Sequence, residues 1–346
     1  MYHPKSMQDN NQNPDAEDFL KNLPLQAEEI GFKRDEMVAC RKCGRASAPN
    51  RLKCMYCGAA LEIYADQTDK IKPNLRKLEN WEQGFNLIYL PNDEQISAET
   101  TAQIAKLIGH EREFVQKILD ARKPLPVLRC ETGREAEILQ NRLGETGLRT
   151  SVVSDEALAA DAAPKRLRNL EFRDNYIFLT LFNTNEIEVI NLEDLNLIVS
   201  GAIFQKAVES TEARKKGESK ILDATETASD ESLIDIYTAK NAIGFRILTK
   251  GFDFSCLGAE KGILARENIK KLAAKFEALA PTALVVDDYL AVRNVLGEIW
   301  EVEQRTDSQG LKRPRFGKFD LSNVSTSNNL QQFTKYSRLQ WRLLAR

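Results

Sequence analysis

The sequence predicts a mixed α+β chain of several domains, and three observations carry that expectation. Two Cys-x-x-Cys pairs, Cys40-Arg41-Lys42-Cys43 and Cys54-Met55-Tyr56-Cys57, are separated by ten residues, and each is followed directly by glycine.

 Between residues 85 and 154, short apolar runs alternate with stretches of helical period, in the order strand, helix, helix, strand, helix, strand. Between residues 166 and 258 the pattern is almost all strand, and a helix follows. A length of 346 residues fits two or three domains.

Residues 1–36 are polar, with a short amphipathic helix expected over 15–30 that Pro24 interrupts. Residues 37–62 hold the cysteine pairs. In a chain without secretory features, that spacing signals a four-thiolate metal site rather than two disulfides. Two intervening residues let both sulfurs of a pair face one ion, and Gly44 and Gly58 supply the backbone freedom for the tight turns. An all-sulfur tetrahedral set suits zinc first and iron second; the alternative is four reduced, unligated thiols. His3 and His110, the two histidines of the chain, both lie outside the stretch, so Cys40, Cys43, Cys54 and Cys57 are the expected ligands. With four protein ligands no coordination position stays open, which makes the ion a structural element. Apolar residues are few here, and structural zinc can contribute about 10–16 kcal/mol of coupled folding energy.

Through CRKCG and CMYCG this stretch resembles the zinc-ribbon family. The resemblance implies a small module built around structural Zn2+, of a kind used to bind nucleic acid, protein or neighbouring domains. Residues 33–53 carry seven basic residues against Asp35 and Glu36. Arg41, Lys42, Arg45 and Arg51 are therefore candidate nucleic-acid or partner contacts, although so small a module must also turn its charges outward.

Residues 63–84 read as a polar linker containing Pro73. The small α+β unit spans 85–157. Its elements are a strand over 85–90, a helix from the Ser97 cap to Ile108 that stops at Gly109, a helix over 111–121, a strand over 125–130, a helix over 133–145 and a strand over 148–153. In element order, and in its PLPVLRCETGREAEILQNRLGETGLRTSVV ending, it resembles the C-terminal domain of the large-subunit ribosomal stalk protein, a fold shared by the Clp protease adaptor. The resemblance implies a small protein-binding or structural domain. Neither the glycine- and lysine-rich factor-binding helix start nor the adaptor's acidic pocket has a counterpart here.

Residues 165–300 form the β-rich unit. Strands are expected at LRNLEF, NYIFLTLF, EIEVINL, LNLIVSG, SLIDIYT, AIGFRIL and FDFSCL, with residues 207–231 as a long mobile loop. A helix over 265–280 presents Ile269, Leu272, Ala273, Phe276 and Ala280 to a core, and a second is expected over 287–300. About seven strands with a closing helix are similar to the barrel of pleckstrin-homology-like domains, without that family's basic lipid-headgroup pocket. Cys130 and Cys256 sit in apolar runs and read as buried small hydrophobes.

Residues 301–346 read as a basic tail. From Leu311 onward eight basic residues face Asp320 alone, although the whole chain has a formal charge of −2. Lys335, Arg338, Arg342 and Arg346 share a helical stripe, which can contact nucleic acid, a partner groove or an anionic membrane, or dock on its own domain.

No run of eighteen apolar residues and no secretory pattern occurs, so a cytoplasmic protein is expected. Walker, G-x-G-x-x-G, H-E-x-x-H and G-x-S-x-G patterns are absent, and no small-molecule substrate is inferred. These readings converge on a non-catalytic adaptor or regulator that binds a protein partner. The alternative is a nucleic-acid or ribosome-associated protein that uses the basic ribbon and tail.

Overall fold

The structure, a computed structural model, describes residues 32, 37–49, 51–61, 73, 75–215, 218–315 and 318–345, with side chains left aside over 211–223 and 309–322. The helix expected over 15–30 lies outside these residues. The chain divides into two compact units, Met1–Lys72 and Pro73–Arg346.

In the first unit β1 (Val38–Ala39) pairs antiparallel with β2 (Ala46–Ser47), and a single bridge joins Lys53 to Ala60. Its buried hydrophobic cluster is Val38, Cys40, Cys54 and Leu61. Among the described residues, two aliphatic side chains and two sulfurs bury too little apolar surface to hold a fold by themselves.

The second unit is mixed α+β. It opens with β3 (Phe85–Tyr89), α1 (Ala98–Ile108), α2 (Arg112–Ala121), β4 (Leu125–Cys130), α3 (Gly133–Glu145) and β5 (Thr150–Ser154). The three strands form an antiparallel sheet in the order β4-β3-β5. Local signals set the helix ends. Ser97 accepts the Thr100 amide at the start of α1, and Gly109 closes it at φ 69°. A capping box of Thr132 and Glu135 starts α3. The third strand begins two residues later than expected, because the Leu148 amide still bonds the Leu143 carbonyl past the end of α3.

After the short α4 (Asp155–Leu158) come β6 (Lys165–Arg173), β7 (Tyr176–Leu181), β8 (Ile187–Asn191), β9 (Leu195–Lys215), β10 (Glu218–Thr238) and β11 (Phe245–Leu248). Then follow α5 (Ala265–Leu279), β12 (Leu284–Val286), α6 (Tyr289–Leu296), β13 (Glu303–Arg315), β14 (Lys318–Asn328) and α7 (Leu330–Leu344). The second sheet is an open path, β13-β14-β9-β10-β11-β6-β7-β8, with β12 joining β9 beside it.

Central strands β9 and β10 bury both faces, which explains their unbroken apolar runs. Leu197, Val199, Ile203, Leu233 and Tyr237 belong to one core; Ile198, Ile234 and Ile236 belong to the other, with Leu272 and Phe276 of α5. The first of these cores also contains Leu87, Ile104, Val127 and Leu139 of the small sheet and its helices, and Trp300, Phe333 and Leu339. The small α+β unit and the β-rich unit, drawn as separate domains over 85–157 and 165–300, thus share one hydrophobic core.

Other expectations are corrected. Residues 207–215 and 218–231 are not a loop: they are the distal parts of β9 and β10, paired almost without interruption from Lys215 and Glu218 inward. Their described side chains are mostly exposed or half-buried, so neither face carries the apolar alternation that announces a strand. FDFSCL is not a strand; Asp253 caps a 3-10 helix, Phe254–Glu260, by accepting the Ser255 amide. Part of the supposed linker belongs to the second unit, where Leu78 is buried. The helix expected over 287–300 ends at Leu296, although Ile299 and Trp300 are buried as expected. The tail is a hairpin, β13 and β14, laid against β9, followed by α7.

Helix α7 packs closely. A Cβ on Gly201 of β9 would run into the Phe333 ring and touch Tyr289, so only glycine admits the helix at this depth.

Candidate metal centre

Each Cys-x-x-Cys pair sits in a turn closed by its glycine. The Gly44 amide bonds the Cys40 carbonyl at 2.7 Å and the Gly58 amide bonds the Cys54 carbonyl at 2.9 Å, both glycines at φ 69°. This left-handed conformation is the one that side chains with a Cβ rarely adopt. The turns bring the four Sγ atoms within 4.8 Å of one another, with Cys40 3.5 Å from Cys57 and Cys43 3.6 Å from Cys54. These gaps are far longer than a disulfide bond. They match a tetrahedron of metal–sulfur bonds of about 2.3 Å, whose sulfurs stand about 3.8 Å apart. The four cysteines can therefore hold a metal ion.

Electrostatics agree with that geometry. The Tyr56 amide points at the Cys54 sulfur and, with Ser47, brings the thiol down to about 6 against the effect of burial. The buried Ser47 hydroxyl lies 3.6 Å from that sulfur. At Cys57 the Ala59 amide is outweighed by burial and the neighbouring sulfurs, which push its thiol up to about 11. Four sulfurs this close resist joint ionisation until a cation compensates them.

Of the predicted contact residues, Arg41, Lys42, Arg45 and Arg51 are exposed, and the Arg45 guanidinium lies 4.9 Å from the centre of the Tyr56 ring. The stripe on α7 is a correction. Lys335 is buried and 3.5 Å from Asp155, and Arg338 is 2% exposed. The Arg338 guanidinium donates to the carbonyls of Leu158, Ala159, Ala162 and Ile243. Arg342 is half-buried, its Nε enclosed without a hydrogen-bond partner. Helix α7 is docked on its own unit, and Lys335 and Arg338 are spent inside it. Spacing had shown the stripe, but the carbonyls that receive it come from segments 95 to 180 residues away.

No local pattern marks the buried carboxylate that gathers these elements. Asp155 is 5% exposed and accepts from the Gly84 amide at 2.9 Å, from Asn86 at 3.0 Å and from Arg129 Nε at 2.8 Å. Trp300 then donates to Asn86 at 2.8 Å. A second buried pair, Asp235 and Arg246, is bidentate at 2.7 Å on both arms.

Among the described residues no helix is long and apolar enough to cross a membrane. Fold and site together define a mixed α+β protein with a cluster of four cysteines that can hold a metal ion. Compared with protein-family models, with curated proteins and with solved structures, the chain matches none.

Proposed function

We propose that this chain is a non-catalytic zinc-ribbon adaptor or regulatory protein, with Zn2+ held by Cys40, Cys43, Cys54 and Cys57. One observation carries the reading: the four sulfurs can complete the ion's shell while Met55 and Tyr56, between the last two ligands, stay 60% and 54% exposed. An apolar tip on a metal-fixed turn presents contact area to a partner at little conformational cost. The element order of residues 85–154 supports the likeness to the stalk-domain fold.

The test is a nuclease-treated pull-down from native lysate with the zinc-loaded full chain and its Met55→Ser/Tyr56→Ser double variant. A protein retained by the native chain and lost by the variant is the expected result. Equal retention by both removes the knuckle as the contact.

A second reading, nucleic-acid binding, is favoured by a separate observation. Residues 37–61 contain Arg41, Lys42, Arg45, Arg51 and Lys53 and not one acidic residue. Engaging four or five phosphates would give a log-log salt slope of about −4. Reversing Arg41, Lys42, Arg45 and Arg51 to glutamate is expected to flatten it; binding indifferent to salt would dismiss the reading. Charge reversal at Arg338 does not serve this test, since it would break buried bonds to carbonyls.

A further inference from the structure

The second unit displays a tryptophan for which its own fold has no use. Trp81 is 80% exposed. Yet the turn beneath it is firmly built. The Glu82 amide bonds the Glu79 carbonyl at 3.1 Å, and the Glu82 carboxylate accepts the Glu79 amide at 2.8 Å. Arg76 clamps that carboxylate through two bonds of 2.9 and 2.7 Å and holds it at about 2. Buried Arg129, fixed by Asp155, donates to the carbonyls of both Glu79 and Glu82. An exposed indole on so fixed a turn offers a flat apolar face at low entropic cost.

Trp81 lines a cavity of about 760 Å³ with Phe204, Arg293, Asn294, Gln304 and Gln332, within the size range of ligand sites. Its floor is rigid, since Gln332 is 2% exposed and bonded to Tyr289 at 2.8 Å and to the Trp300 carbonyl at 2.9 Å. Arg293 supplies the cation. Its Nη1 has no hydrogen-bond partner, and its ion pair with the exposed Asp230 is a long one, at 3.8 Å. A half-buried guanidinium held by one long ion pair keeps donors for a further acceptor, and an anionic oxygen is its best complement. Of the two acids on the rim, Glu301 is paired with Lys77.

We infer that this cavity binds a nucleotide unit, with the base stacked on Trp81, its edge read by the Asn294 and Gln304 amides, and the phosphate received by Arg293. The ligand is a free mononucleotide or one residue of a single strand; the chemistry is shared. The inference does not rest on the adaptor reading or on the metal module.

Calorimetric titration of the zinc-loaded full chain with AMP, UMP, uridine and a nine-nucleotide single-stranded RNA tests it. Trp81→Ala, at an exposed position, leaves the melting temperature unchanged and is expected to weaken binding about tenfold. Arg293→Gln is expected to abolish the preference for UMP over uridine. Saturable binding of AMP or UMP assigns a free nucleotide; binding of the RNA alone, lost in Trp81→Ala, assigns a strand. The inference is overturned if no probe binds, if RNA binding survives Trp81→Ala unchanged, or if N-acetylarginine amide occupies the site and the nucleotides do not.

Discussion

Replacing Cys57 with serine is expected to empty the metal site and unfold the first unit while the second keeps its cooperative transition. The coupled folding energy of such sites, about 10–16 kcal/mol, far exceeds anything that Val38 and Leu61 can contribute by burial. The second unit has its own two hydrophobic cores, neither of which includes a residue of the first. Elemental analysis should return one zinc per native chain and close to none for the variant. Amide resonances of residues 37–61 should collapse while the calorimetric melt of the remainder persists. A chelator should reproduce the effect on native protein. If the whole chain loses its melting transition, the division at Lys72 does not describe its energetics.

The second large effect is expected at Asp155. Asp155→Asn leaves Arg129 and Lys335, both buried, facing a neutral amide, and breaking a buried ionic cluster in this way costs about 3–5 kcal/mol. Burial alone would raise the Asp155 carboxyl, but Lys335, Asn86 and Arg129 together hold it below the usual aspartate range. A folded-state value below the unfolded one means that the stabilisation is fully present above the ordinary aspartate range. It is lost as pH falls through the depressed value. Denaturant midpoints measured from pH 7 down to pH 3 should therefore decline in native protein and decline less in Asp155→Asn. Parallel curves would show that Asp155 does not dominate the acid limb.

How far the sequence announces this structure follows from where each signal resides. Helices α1 and α3 are legible to the residue because their boundaries are local chemistry: Ser97 and Gly109 for one, Gly133 and the turn after Glu145 for the other. The four-cysteine cluster is legible because type and spacing suffice. The distal parts of β9 and β10 are not, since strands solvated on both faces carry no period-2 pattern. The stripe on α7 misleads for a different reason. Its helical spacing is real, but the carbonyls of Leu158, Ala159 and Ala162 and the carboxylate of Asp155 reach it only through the tertiary fold. Trp81 leaves no trace in periodicity because its display depends on Arg129, a residue of β4 that only the tertiary fold brings to the turn.

Helix α7 bears on how the molecule comes into being. During synthesis the ribosome releases the small sheet, the long hairpin and α6 well before residues 330–344 emerge. Until those residues arrive, Asp155 lacks Lys335, the carbonyls near Ala159 lack Arg338, and β9 at Gly201 lacks the Phe333 ring. Closure of the second unit thus waits on pairings across as many as 180 residues of chain, a topology that favours slow maturation and a need for shelter meanwhile.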